Sequence, residues 1–259
     1  MPVDLNRRRD IGNILDDAFA LYRAHWMTLL ACTACIVIPV QLLVFGVGLG
    51  WLTAGYDSTP PFGDNLAGAA AQLFVVTPLV TAMTVHVVQR SADRPGFRAT
   101  LSAAFEVFAA LLGPIALVTL GVGAGIFLLI IPGIFLAVRW CVVPQAVVVD
   151  GARNADALRR SNALVTGRGW QAFGLLVVAN VLVGIGSLIF NLPLSAASKS
   201  ADAQWLQLVG QALGQIVTLP LLTLAVTLLY FSLRAEKEGA TQSAPPPSEP
   251  PPVRWEPPV

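Results

Sequence analysis

Charged residues are scarce in this 259-residue chain, at 12% of the sequence, whereas a soluble domain carries about 25%. The formal net charge is only +1, so there is no overall basic or acidic field to attract nucleic acid. Histidine occurs twice and cysteine three times, and all three cysteines fall in apolar segments. These shortages argue against an ordinary soluble domain, a disulfide framework and a metal site.

Catalytic motifs are also missing from the sequence. There is no Walker-type phosphate loop, no nucleophile elbow and no dinucleotide-binding fingerprint. The long apolar segments contain no paired acids or histidines that could move protons. We therefore predict a protein that is not an enzyme and that needs no cofactor.

What the chain has in abundance is apolar sequence: 55% of its residues are hydrophobic, and the mean hydropathy is +0.69. The longest such stretch, residues 102–149, has no charge between Val107 and Val138. As one helix those roughly 32 residues would measure about 48 Å, well beyond a hydrocarbon core of about 30 Å. We predict a helical hairpin whose tip is Pro132 and Gly133, where the chain turns most easily.

The hydropathy pattern predicts an all-α membrane protein, a bundle of six transmembrane helices in residues 1–235. A polar, proline-rich tail, residues 236–259, is predicted to be disordered and cytoplasmic. Helix four is short enough that a re-entrant segment is the alternative. The predicted helices are 27–50, 66–89, 103–130, 133–149, 169–191 and 204–233.

Amphipathic segments precede the helices and suggest an internal repeat. Residues 11–26 have apolar positions at helical spacing and are predicted to lie in the membrane interface. Similar segments start near residues 100 and 157, and the second helix of each following pair carries a proline: Pro78, Pro144 and Pro220. We interpret these as three units of amphipathic segment plus helical hairpin. The alternative is a chance similarity among membrane sequences rich in Leu, Val and Pro.

Basic residues set the predicted topology. Nearly all arginines and lysines fall at one end of the six-helix arrangement; Lys199 falls at the other end and Arg139 falls inside helix four. By the positive-inside rule, both termini are cytoplasmic. Only Lys199 and Lys237 are lysines, and this arginine bias, with abundant Ala, Gly and Val, indicates a bacterial chain in the cell (inner) membrane.

A family resemblance lies in the sequences LIIPGIFLAVRW (129–140), ALRRS (157–161) and GRGW (167–170), together with Pro144 and the opening ILDDAFALYR (14–23). In these stretches the chain resembles a bacterial membrane-domain family. That family includes the membrane domain fused to some glycerophosphodiester phosphodiesterases and stand-alone integral membrane proteins. The resemblance covers about residues 11–235 and implies a multi-helix membrane fold. It implies no phosphodiesterase activity, because no soluble segment is long enough for a barrel domain of about 250 residues.

Arg139 is the most unusual residue of the spans, because an arginine there costs about 2.5–3.5 kcal/mol on insertion scales. A stripe of glutamines in helix six, Gln204, Gln207, Gln211 and Gln215, follows one helix face. Gln211 has a depth similar to that of Arg139, and Asn180 and Gln41 are further candidates. We predict a polar pocket in the outer half of the bundle, suited to an anionic group such as a lipid phosphate. The alternative is that these groups only bond each other or that Arg139 reaches outward to the interface.

The cytoplasmic basic segment comprises Arg153, Arg159, Arg160 and Arg168. It is predicted either to engage anionic headgroups or simply to set topology in solvent. Trp255 within the proline-rich tail is a candidate docking element for a protein partner. Small-residue pairs such as Gly121 and Gly125 favour close helix packing, with homo-oligomerisation as the alternative.

The leading functional prediction is a non-enzymatic membrane protein that organises lipid or a partner protein, without nucleic acid. The alternative is a transporter or channel for a lipid or a small anionic molecule. A membrane-embedded enzyme comes third, for want of acids or histidines in the spans.

Overall fold

The computed structural model describes residues 9–47, 62–93, 95–201 and 205–242. All regular secondary structure in these ranges is helical. A π-helical turn, Leu42–Val47, follows the first α-helix, and a second one, Gln72–Val76, joins the next two. The α-helices are α1 Ile11–Gln41, α2 Phe62–Ala71, α3 Thr77–Gln89, α4 Phe97–Leu128, α5 Ile130–Arg139, α6 Val143–Asp150, α7 Asn154–Val165, α8 Gly169–Ala201 and α9 Trp205–Gln242.

Within the described ranges, six helical stretches are long and apolar enough to cross a membrane. They are Ile11–Val44, Ala67–Gln89, Phe97–Leu128, Ile130–Asp150, Gly169–Ala197 and Leu208–Glu238. The predicted all-α architecture with six spans is therefore confirmed. The part of the predicted first loop in residues 48–61, with the end of predicted helix one, lies outside the described residues.

Helix α9 forms the centre of the bundle. Every residue from Leu224 to Leu233 is at most 7% exposed, and a helix buried on all sides must be surrounded by others. It packs chiefly against α8, α1 and α3. Helices α4 and α8 instead turn apolar side chains outward, such as Leu120 at 70% and Ile189 at 64% exposure. In a membrane such surfaces face lipid.

Helix α1 combines the predicted amphipathic segment with the first span. The helix is interrupted at His25, whose backbone is non-helical at φ −121° and ψ 20°. The Tyr22 hydroxyl donates a hydrogen bond to the Val217 carbonyl, 3.0 Å away in α9. The apolar stripe of the predicted segment, residues 11–26, packs into the bundle, since Ile14, Ala18 and Leu21 are buried. Its position in the membrane interface stays a prediction.

The central hairpin turns earlier than predicted. Leu129 is extended, at φ −160° and ψ 133°, and α5 begins at the next residue. Pro132 therefore lies in the first turn of α5, where its missing N–H would have no intrahelical partner in any case. Gly133 allows α5 to pack closely against α4, because a Cβ added at Gly125 of α4 would lie only 2.9 Å from the Cα of Gly133. The tip is thus Leu129 and not Pro132–Gly133.

Predicted helix four is broken into α5 and α6. Pro144 cannot donate to the Trp140 carbonyl four residues earlier, and that carbonyl accepts instead from the Val143 N–H at 3.2 Å. The Ser161 hydroxyl in α7 donates to the Arg139 carbonyl at 2.8 Å. The break is thus bridged by a side chain from α7, as non-helical backbone inside a membrane protein requires.

The last two helices extend beyond their predicted ends. Pro193, predicted in a loop, lies within α8, as membrane helices allow when neighbours satisfy the freed backbone groups. Helix α9 continues to Gln242, so the beginning of the predicted disordered tail is helical. Ion pairs of Glu236 and Glu238 with arginines hold this extension. The rest of the tail, residues 243–259 with Trp255, lies outside the described residues.

Candidate functional site

A cavity of about 220 Å³ lies between the first two spans and α9. Four glutamines line it: Gln41 from α1, Gln72 from the π-helical turn before α3, and Gln211 and Gln215 from α9. We call it the glutamine cavity. The rest of its lining is apolar and small, comprising Val40, Val44, Gly68, Ala69 and Ala71.

Two carboxamide oxygens of the glutamine cavity lack a hydrogen-bond partner. The Oε1 atoms of Gln41 and Gln215 are shielded from solvent, and nothing in the described part of the chain donates to them. A buried polar atom left unpaired costs about 1–3 kcal/mol. Such atoms are uncommon in native proteins and call for an explanation such as a bound molecule.

Two π-helical turns contribute Val44 and Gln72 to the wall of the cavity. π-Helical turns form part of both helices of the first hairpin, and such turns are frequent at functional sites. Pro78 cannot donate to the Phe74 carbonyl, which lies inside the turn Gln72–Val76. The Gln72 carbonyl accepts from the backbone N–H of Thr77 and also from the Thr77 hydroxyl, the latter at 2.8 Å. These two hydrogen bonds fix the backbone of Gln72 at the cavity wall.

The cavity lies far from the arginine-rich end of the bundle, which we call the charged end. In two of its spans, a cavity glutamine is separated by 18 or 19 residues from an arginine at the charged end: Gln72 from Arg90, and Gln215 from Arg234. At 1.5 Å per residue this is about 27 Å, close to the thickness of a hydrocarbon core.

The structure brings only part of the predicted polar pocket together. Gln211 and Gln215 line the glutamine cavity, whereas the side chain of Gln207 lies outside the described residues. Asn180 is exposed on α8 and donates to the Leu176 carbonyl of its own helix at 2.8 Å. Arg139 lies elsewhere.

Arg139 is satisfied by α7 and by its own helix. Its Nη1 donates to Oδ1 of Asn162 at 2.7 Å, and its guanidinium stacks 4.6 Å from the centre of the Phe135 ring. The grouping of Arg139 with the glutamine stripe was therefore wrong. An anionic ligand is therefore no longer favoured, because no charged side chain lines the cavity among the described residues.

Gln72 is the site residue that sequence reasoning missed. Its signal was available: a lone glutamine follows three alanines inside an apolar span, and polar residues in spans are functional candidates. The spacing rule found Gln211 and Gln215 because they belong to one helix. It could not show which other helices face them.

The charged end contains a closed ring of four ionic side chains, which we call the charge ring. Asp150 accepts from Arg160 at 2.7 Å and lies 3.2 Å from Arg234. Glu238 pairs with the same two arginines, at 2.8 Å and 3.0 Å. The hydrogen bond with Asp150 is the largest cause that raises the pKa of Arg160 above its ordinary value. The ring attaches α6 and α7 to the end of α9.

The predicted cytoplasmic basic segment divides into two kinds of residue. Arg160 belongs to the charge ring, and Arg168 pairs with Glu236 at 2.7 Å. Arg153 is exposed, and Arg159, 82% exposed, makes only a 3.5 Å contact with Asp156. Two of the four arginines thus hold α9, and two are on the surface.

Taken together, the six apolar spans and the polar cavity inside them define a multi-pass α-helical membrane protein. A family model described as a domain of unknown function, DUF7847, matches residues 67–235, which is most of the chain, so the protein belongs to that family. The matched region includes Gln72, Gln211, Gln215 and most of the charge ring, but not Gln41. No curated protein and no solved structure matches the chain. The resemblance to membrane domains of glycerophosphodiester phosphodiesterases stays a prediction.

Proposed function

We propose that this is a non-enzymatic membrane protein that holds a lipid by its headgroup in the glutamine cavity and thereby organises lipid. The observation that carries the proposal is the pair of unpaired oxygens, on Gln41 and Gln215, in a cavity far from the charged end; we infer that this cavity lies near a membrane boundary. Headgroups lie at that depth, and their donors would complete the hydrogen bonding.

The surroundings of the cavity favour a lipid over a fully water-soluble ligand. Gln211 is exposed, so the cavity reaches the surface of the bundle. Leu42, next to Gln41, is 53% exposed, and Leu73, next to Gln72, is 38% exposed. These apolar side chains offer a surface for acyl chains beside the polar site.

Holding a lipid is favoured over transporting one. Between the cavity and the charged end, α9 is fully buried from Leu224 to Leu233, and α3 is buried from Leu79 to Val85. Close packing of this kind is rigid and contains few voids, which supports a binding site open to one side. A substrate flux through proteoliposomes that depends on Gln215 would favour the competing transporter proposal.

The lipid proposal is tested by the double variant Gln41→Leu/Gln215→Leu. This variant removes both oxygens and replaces each glutamine with an apolar side chain of similar volume. Full-length protein purified in a mild detergent should carry bound lipid in native mass spectrometry, and the double variant should lose it. Gln145→Leu is the matched control, because Gln145 is 2% exposed, also has an unpaired oxygen and does not line the cavity. Equal lipid retention in all three proteins would contradict the proposal.

We also propose that the charged end faces the cytoplasm of a bacterial cell and that both chain termini lie there, with the protein in the inner membrane. The support is the concentration of arginines at that end. Single cysteines placed at Gly151 and at Leu129, in a variant whose own cysteines are replaced, should label from opposite sides of the membrane. Labelling of both positions from the same side would refute this topology.

A protein partner remains a competing proposal. Removal of residues 243–259 should leave lipid binding unchanged if the cavity carries the function. Loss of a co-purifying protein on this deletion would favour docking through the proline-rich tail instead.

A further inference from the structure

The chemistry of the glutamine cavity narrows the group that it binds. Its lining contains carboxamides and apolar groups but no charged side chain among the described residues. A charged group placed in a partly desolvated site without a counter-charge costs far more than a neutral one. Arg90 and Arg234, at the charged ends of two of its spans, lie about 27 Å away along the helices and cannot supply that counter-charge.

Carboxamides are well matched to hydroxyl groups. A carboxamide offers one acceptor oxygen and two N–H donors, and a hydroxyl both donates and accepts. The unpaired oxygens of Gln41 and Gln215 require donors, which hydroxyls provide without adding charge. A choline group has no N–H or O–H to donate, and a bare phosphate diester has none either.

The size of the cavity limits the bound group further. A volume of about 220 Å³ is smaller than the roughly 300–1,000 Å³ of sites for drug-sized ligands. The cavity therefore accommodates one compact headgroup and not a whole lipid.

Resting on the proposed function, we infer that the glutamine cavity binds an uncharged polyol, such as the sugar of a neutral glycolipid. The Oε1 atoms of Gln41 and Gln215 are shielded from solvent, so their carboxamides would rotate toward the cavity to accept from the hydroxyls. The remaining carboxamides would pair with other hydroxyls of the same group. A free sugar would present the same chemistry, so the test separates the two sources.

The test uses the full chain in phosphatidylcholine nanodiscs doped with glucosyl diacylglycerol, phosphatidylglycerol, phosphatidylethanolamine or unmodified diacylglycerol. Lipid that stays on the protein is identified by native mass spectrometry, and free glucose is tested separately by titration calorimetry. Glucosyl diacylglycerol should be enriched over the other three on the wild-type protein. Each variant, Gln41→Leu or Gln215→Leu, should weaken its retention about fivefold, and Gln145→Leu should not.

The outcomes separate the two proposals. Glutamine-dependent enrichment of phosphatidylethanolamine, whose headgroup has no hydroxyl, would overturn the polyol assignment and leave lipid binding intact. Enrichment of phosphatidylglycerol over glucosyl diacylglycerol would overturn the preference for an uncharged headgroup and leave lipid binding intact. Glutamine-dependent binding of free glucose without any retained lipid would support the polyol chemistry and overturn the lipid proposal. If neither lipid nor glucose binding depends on Gln41 and Gln215, both proposals are wrong.

Discussion

Replacement of Asp150 by asparagine should loosen the attachment of α7 to α9. The carboxylate of Asp150 joins Arg160, at 2.7 Å, to Arg234, at 3.2 Å. In the variant both arginines would share the single carboxylate of Glu238. The ring would be opened, and two cations would face each other with half of their former counter-charge.

The magnitude follows from burial. The side chain of Asp150 is 17% exposed, whereas those of Arg160 and Arg234 are 34% exposed. A hydrogen bond to a charged group contributes about 1.5–3 kcal/mol when sheltered, and exposure of the arginines reduces this through solvent screening. We expect a loss of about 1–2 kcal/mol in the free energy of unfolding. In a protein of this size each kcal/mol lowers Tm by about 2–4 °C.

Asp156→Asn, on α7, is the matched control. Asp156 and Arg159 are 77% and 82% exposed and 3.5 Å apart, and exposed pairs of this kind contribute little. Thermal unfolding of both variants in one detergent and at one scan rate should separate them by several degrees. Added salt should narrow the gap, because the ring is partly exposed. Equal Tm values for the two variants would refute the reasoning about the charge ring.

Two further predictions concern packing and Arg139. Gly121→Ala should destabilise the protein by about 1–3 kcal/mol, because the new Cβ would overlap the Trp140 indole. The control Gly123→Ala places its Cβ in open space and should be neutral or stabilising. A decrease of Tm in both variants would contradict the close contact between Gly121 and Trp140. Asn162→Ala removes the acceptor of the 2.7 Å hydrogen bond from Arg139 and should cost about 1.5–3 kcal/mol. The same change in an Arg139→Met background should cost clearly less, and an equal cost in both backgrounds would show that the two residues are not coupled.

Hydropathy was enough to predict the six spans, because a helix that crosses a membrane must be long and apolar whatever its neighbours are. Their ends were less predictable. Pro132 and Pro193 suggest turns in isolation, yet both lie inside helices, one in a first turn and one within α8. The helical beginning of the tail was missed because Glu236 and Glu238 are stabilised by arginines distant in sequence.

In the polar site, too, some features could be predicted from the sequence and others depended on how the helices pack. Gln211 and Gln215 could be predicted together because four residues separate them on one helix. Arg139 was assigned to them by depth alone, and depth does not say which helix is adjacent. Its actual acceptor, Asn162, lies on α7, which the break between α5 and α6 brings into reach.

The amino-acid sequence by itself determined that this protein is helical and crosses a membrane several times, because apolar length and the scarcity of charge are properties of the chain alone. It also determined which helix face carries glutamines. Only the tertiary structure decided that Gln41 and Gln72 join that face around a cavity, and that Arg139 does not. The physical reason is that side chains from different helices meet according to how the helices pack, and packing depends on contacts between residues far apart in the sequence.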